Sequence, residues 1–235
     1  MLNRGAEVVQ DTVSNPLRTN FLLGRRGPYL TAISAASFAL GYLLAATVNL
    51  VFLLALLVPM ILAVAYTVGS KKLVGLIGSR RLKDKLMAKN LAISVGWSLI
   101  PILVGLYFRS LSIALLALAP FIFLRLMSNT IFFDLRDVSA DSQFGVRTIP
   151  VVFGERSSYR AMELSDVIAA SYIVILAFVR ILPEYALLLI LLPAYSFFYR
   201  WASRKSIASL SFLCDFVADA EYVLWGPLIF LGKVI

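Results

Sequence analysis

Polar residues interrupt this chain in only a few places, and between them lie apolar runs of about twenty residues at 28–48, 50–69, 91–108, 110–133, 164–182, 184–199 and 213–232. A helix rises about 1.5 Å per residue, so a run of this length crosses the roughly 30 Å of bilayer hydrocarbon. The runs are far too long for alternating barrel strands, and lipid tolerates no unpaired backbone group, which leaves closed helices. The predicted fold is all-α: a polytopic transmembrane helical bundle of about seven spans, forming a single membrane-embedded domain over residues 1–235.

Composition agrees with the pattern. Hydrophobic residues make up 60% of the chain and charged residues 15%, and the mean hydropathy is +0.88. The first 27 residues contain Arg4, Arg18, Arg25 and Arg26 but no apolar stretch of signal-peptide length, so the start reads as polar and cytosolic. The single cysteine, Cys214, cannot form an internal disulfide. The absence of histidine, with only one cysteine, argues against zinc chemistry and a Ser-His-Asp triad, and neither is expected. A net charge of +9 would suit nucleic acid, but the basic residues flank apolar spans and form no separate domain, so no nucleic-acid partner is expected. Eighteen of the 22 fall in 1–27, 70–90, 134–163 and 200–209, which seven alternating spans place on one side. The positive-inside rule makes that side cytoplasmic and gives an integral protein of the cell membrane with an inner N-terminus, an outer C-terminus and long inner loops.

Two inner segments carry candidate chemistry. In "FFDLRDVSADSQFGVRTIPVVFG", residues 132–154, Asp134, Asp137 and Asp141 share one face of a helix continuing out of the fourth span. Three carboxylates on one face repel each other unless a cation lies between them, and oxygen-only ligands suit Mg2+ or Ca2+. A solvated helix end with Arg136, Arg147 and Arg156 as partners is the alternative, while the spacing excludes an EF-hand. At the N-terminus, Asn3, Glu7 and Asp11 also recur at four-residue steps. Two such clusters can hold Mg2+ ions on a diphosphate, with Lys and Arg covering the remaining oxygens.

These residues resemble the UbiA-type superfamily of intramembrane prenyltransferases. The family's second motif, D-x-x-D-x-x-x-D with a glycine and a T-[LI]-P-x-x-x-G tail, is matched by Asp134, Asp137, Asp141, Gly145, Thr148, Ile149, Pro150 and Gly154. "NTIFFD" with Asn129, "KNLAISVGW" at 89–97 and "NPLRTNFLLGRR" extend the likeness across the chain. The first motif departs from the family, because N-D-x-x-D-x-x-x-D reads here as Asn3, Arg4, Glu7 and Asp11. If the seven spans are the family's third to ninth helices, the two that precede its first motif are not in this sequence.

The resemblance implies nine helices around a central cavity that opens to the cytoplasm, a polyprenyl diphosphate and a lipophilic acceptor as substrates, and Mg2+ as cofactor. It implies catalytic and metal-holding roles for Asp134, Asp137 and Asp141, with Glu7 and Asp11 as further metal ligands. Asn3, Arg18, Arg25, Lys71, Lys85, Arg136 and Arg147 are the candidates for the diphosphate. Membrane lipids are the other expected partners, and an anionic-lipid contact or topology signal is the alternative reading of the Lys71–Lys85 run. Arg125, about two turns inside a span, needs a partner in the bundle or must snorkel to the interface. Asp215, Asp219 and Glu221, close to the last span, read as functional groups by default, or as groups at the inner water interface. A catalytically inactive prenyl-lipid-binding homologue and a small membrane transporter are the alternative functions. The second fits less well, because transporters place ionisable groups near the midplane.

Overall fold

The computed structural model describes residues 20, 26–48, 51–52, 54–55, 57–58 and 86–234. These residues form helices and short turns, and no strand occurs among them. The elements are α1 (Arg26–Val48), α2 (Ala88–Ser98), α3 (Ile100–Tyr107), α4 (Ile113–Gln143), α5 (Ile149–Phe178), α6 (Leu191–Arg204) and α7 (Asp219–Val234). A 3-10 segment, Glu184–Ile190, leads into α6, and a π-helical segment, Leu213–Ala218, leads into α7.

Four stretches among the described residues are long and apolar enough to cross a membrane: Ala88–Tyr107, Ile113–Gln143, Ile149–Phe178 and Glu184–Arg204. They contain most or all of the spans predicted at 91–108, 110–133, 164–182 and 184–199. The chain is an integral membrane protein. The predicted span 28–48 lies in α1, of which Ala32–Leu43 is a shorter apolar stretch. The last predicted span lies in the π-helical segment and α7, and most of 50–69 lies outside the described residues.

The connection expected over 134–163 is largely helical, in keeping with the helix expected to continue out of the fourth span: α4 runs on to Gln143, residues 144–148 form a turn, and α5 starts at Ile149 and is interrupted at Gly154. Hydropathy marks where lipid ends, whereas a helix satisfies its own backbone equally well in water, so the two limits need not coincide. The turn itself is encoded locally. Gly145 has φ 68°, and its N–H donates to Ser142 O at 3.3 Å while Val146 N–H donates to Asp141 O at 2.9 Å. This left-handed closure satisfies the last carbonyls of α4 and favours glycine. Pro150 lies in the first turn of α5, where its missing N–H costs nothing.

Gly154 then breaks α5 with φ 79° and ψ 171°, a region nearly closed to residues with a Cβ. Nothing lies within 4 Å of a Cβ built there, so the constraint is the backbone and not space. Gly154→Ala is therefore expected to destabilise the fold by about 1–3 kcal/mol. Thermal unfolding in detergent measures this, and an unchanged midpoint would show that the break relaxes without strain.

Two apolar cores hold α4, α5 and α6 together. One contains Phe121, Ala169, Ile173 and Leu192; the other contains Ile131, Phe132, Tyr159, Met162, Tyr199 and Cys214. Between them along each helix lie buried polar residues: Arg125 and Ser128 on α4, Asp166 on α5 and Ser196 on α6. The acidic motif follows the second core, at the end of α4.

Candidate active site

The first turn of α2 and the last turns of α4 meet at one end of the bundle. Met87 adopts φ 60°, and its N–H donates to Arg147 O at 3.3 Å, which fastens the start of α2 to the 144–148 turn. Lys89 and Asn90, in the first turn of α2, thereby reach α4.

Asp134 is fully buried and is held from both sides. Lys89 Nζ donates to its Oδ1 at 2.6 Å and Asn90 Nδ2 donates to its Oδ2 at 2.7 Å. The same ammonium lies 3.9 Å from Asp141 Oδ2, and Asp141 is 2% exposed. One cation thus serves two buried carboxylates seven residues apart, and the positive N-terminal end of α2 adds to its field. Asp137 is directed elsewhere: Arg136 Nε donates to its Oδ1 at 2.8 Å, and Arg136 Nη1 donates to Asp215 Oδ1 at 2.6 Å. The Arg136 guanidinium also lies 5.3 Å from the centre of the Phe133 ring.

The three aspartates therefore share a helix end but not one set of neighbours. Among the described residues no group of three or more histidine, cysteine, aspartate or glutamate side chains converges to hold a metal. The donor chemistry still fits a hard divalent cation. Asp134, Asp137, Asp141 and Asp215 offer only carboxylate oxygens, and their ion pairs place Lys89 and Arg136 among them. The ammonium between Asp134 and Asp141 shows that this pair accommodates a cation.

Arg147 lies in the 144–148 turn with its side chain exposed. Asn3, Glu7, Asp11, Arg18, Arg25, Lys71 and Lys85 lie outside the described residues. Lys89 and Asn90 are additions that the sequence reading did not assign. The only local signal for them was their position at the polar start of the 91–108 run, within "KNLAISVGW".

About nine residues deeper along α4, or roughly 13 Å by helical rise, Arg125 is 1% exposed. Its Nη2 donates to both carboxylate oxygens of Glu221 at 2.7 Å, and its Nη1 pairs with Asp166. Arg200 also pairs with Asp166 and reaches Ser128 Oγ at 3.1 Å. Ser196 Oγ donates to Asp166 Oδ2 at 2.6 Å. Two guanidinium groups and two carboxylates cancel within one layer joining α4, α5, α6 and α7. Arg125 has its partners inside the bundle and does not snorkel. Glu221, expected at the water interface, is instead 1% exposed in this layer, because α7 turns it toward Arg125. Asp215 remains partly exposed near Arg136.

A family model for the UbiA prenyltransferase family matches residues 28–211. No curated protein and no solved structure matches the chain.

Proposed function

Because the chain belongs to the UbiA prenyltransferase family, we propose that it transfers a prenyl group from a polyprenyl diphosphate to an aromatic or hydroxyl acceptor within the membrane. The observation that carries this reading is the acidic end of α4, where buried Asp134 and Asp141 share one ammonium beside Asp137. Asp134, Asp137 and Asp141 are the residues that would hold Mg2+, with Glu7 and Asp11 as further ligands. When bound, the ion supplies neutralising charge for a departing diphosphate.

The chain's own groups have separable tasks. Asn90 fixes one oxygen of Asp134 through its amide, which orients the carboxylate toward Lys89 and Asp141. Lys89 is placed to exchange its carboxylate partners for a phosphate oxygen, as a compact charge on a flexible stem. Arg136 braces Asp137 and Asp215, and Arg147 on the exposed turn is available to the diphosphate; the family resemblance adds Asn3, Arg18, Arg25, Lys71 and Lys85 as candidates. The allylic C–O bond breaks with its electron pair passing to diphosphate. The acceptor carbon or oxygen then bonds to the allylic carbon and loses a proton, which the released diphosphate can take. Apolar walls beyond the site keep water from competing for the cation.

One sequence feature favours a second reading, a prenyl-lipid-binding homologue without turnover: Arg4 stands where the family's first motif has a carboxylate. The full chain in lipid nanodiscs, given labelled prenyl diphosphate, Mg2+ and a panel of aromatic and glyceryl acceptors, separates the two. Transfer to at least one acceptor is expected, and Asp137→Asn should weaken Mg2+-dependent diphosphate binding about tenfold or more with unchanged thermal stability. Tight diphosphate binding with no transfer to any acceptor would favour the second reading. Unchanged Mg2+-dependent binding in Asp137→Asn would remove Asp137 from the metal-holding residues.

A further inference from the structure

A second charged site lies at the same end of the bundle, on the face of α5 that meets the end of α6. Beyond Gly154, residues 155, 156, 159, 160 and 163 fall on one side of α5 at steps of three and four. Together with Arg204, the last residue of α6, they line an open cavity of about 550 Å³ formed by Glu155, Arg156, Tyr159, Arg160, Glu163 and Arg204. One wall is built: Arg204 pairs with Glu163 and its guanidinium lies 4.3 Å from the centre of the Tyr159 ring. The Tyr159 hydroxyl lies 2.8 Å from Ser203 Oγ, bridging the two helices.

Arg156 and Arg160 occupy the same cavity one helical turn apart, exposed, and neither has an ion pair among the described residues. Three guanidinium groups face two carboxylates there, one of which is already taken by Arg204. Two uncommitted guanidinium groups at this spacing match the oxygens of one phosphate, which they can engage as forked donors. A second cavity of about 760 Å³ adjoins it, sharing Glu155 and Tyr159 and adding Leu135, Val138 and Ile207 together with the hydroxyls of Ser203 and Ser209. A phosphate beside a mixed polar and apolar body is the chemistry of a phospholipid. Phe153, Phe198 and Trp201 are exposed by 56%, 58% and 43% around this end, as side chains at a lipid–water boundary are.

We propose that this cavity binds the phosphate of an anionic membrane phospholipid. Arg156 and Arg160 donate to the phosphate oxygens, Arg204 forms the third side, and the glyceryl region of the lipid lies in the adjoining cavity. The site's arginines lie on α5 and α6, whereas the aspartate cluster lies on α4, and the inference does not depend on prenyl transfer.

Native mass spectrometry of the full chain released from detergent tests it. The probes are phosphatidylglycerol, phosphatidylcholine of the same chain length, and inorganic phosphate as competitor. Phosphatidylglycerol should be retained in preference to phosphatidylcholine. Its retention should fall about tenfold or more in Arg156→Gln/Arg160→Gln and by less in Arg156→Lys/Arg160→Lys, which keeps the charge but not the forked geometry. Millimolar inorganic phosphate should leave it in place. Both side chains are exposed, so the glutamine variant should keep the wild-type melting midpoint; if it does not fold, the single variants Arg156→Gln and Arg160→Gln give the same readout. Equal retention by the glutamine and wild-type proteins overturns the proposal. Full displacement by inorganic phosphate also overturns it, since the ligand would then be the free anion and not a lipid.

Discussion

Asp134→Asn is expected to lower prenyl transfer by about 10²- to 10³-fold while leaving helix content intact. The substitution keeps the shape of the side chain and its contact with Asn90, but removes the charge that holds Lys89 at 2.6 Å. Asp141 remains within 3.9 Å of that ammonium, and one ligand for a divalent cation is lost. A companion variant tests the geometry without turnover. Lys89→Met leaves two buried carboxylates without their shared cation, so the protein should melt earlier in chelator and recover when Mg2+ is added, since an ion that binds only the folded state stabilises it. Transfer by Asp134→Asn within about threefold of the wild-type rate would remove Asp134 from the reacting site. A Lys89→Met melting midpoint that ignores Mg2+ would mean that the pair does not take up the ion.

Arg125→Met should destabilise the bundle by about 3–5 kcal/mol, the range for breaking a buried ion pair by removing one partner. The hydrogen bonds to Glu221 vanish, and Arg200 alone then faces the two carboxylates. The methionine fills most of the volume, so the loss is electrostatic and not a cavity effect. The double variant Arg125→Met/Glu221→Leu should recover a large part of the loss, because Arg200 and Asp166 remain as a neutral pair. Unfolding followed in mixed micelles provides the double-mutant cycle. A single-variant loss below about 1 kcal/mol, or no coupling between the two positions, would show that the layer is not a connected network.

The parts of the molecule that were legible from sequence share one property: their physical cause is local. Apolar runs such as 110–133 report lipid exposure residue by residue, and the structure places all but the first three residues of that run in α4. The three aspartates at steps of three and four could be put on one helix end without knowing what surrounds them. Gly145 and Gly154, recognised only as parts of a motif, turn out to hold backbone angles that residues with a Cβ avoid.

What the sequence could not supply is pairing. Lys89 and Asn90 reach Asp134 across separations of 45 and 44 residues, and Arg125 reaches Glu221 across 96. Hydropathy assigns each of these side chains a depth in the membrane at best, and it says nothing about which way its helix is rotated. Glu221 illustrates the consequence: from its neighbours Asp215 and Asp219 it reads as an interfacial acid, yet the rotation of α7 buries it against Arg125. The amino-acid sequence by itself determined a helical membrane protein with an acidic helix end, because burial in lipid and helical periodicity act over a few turns. Only the tertiary structure decided that Asp134 and Asp141 share one ammonium, that Asp137 turns to Arg136, and that the deep charges cancel in a closed layer, because these depend on how separate helices pack and rotate against one another.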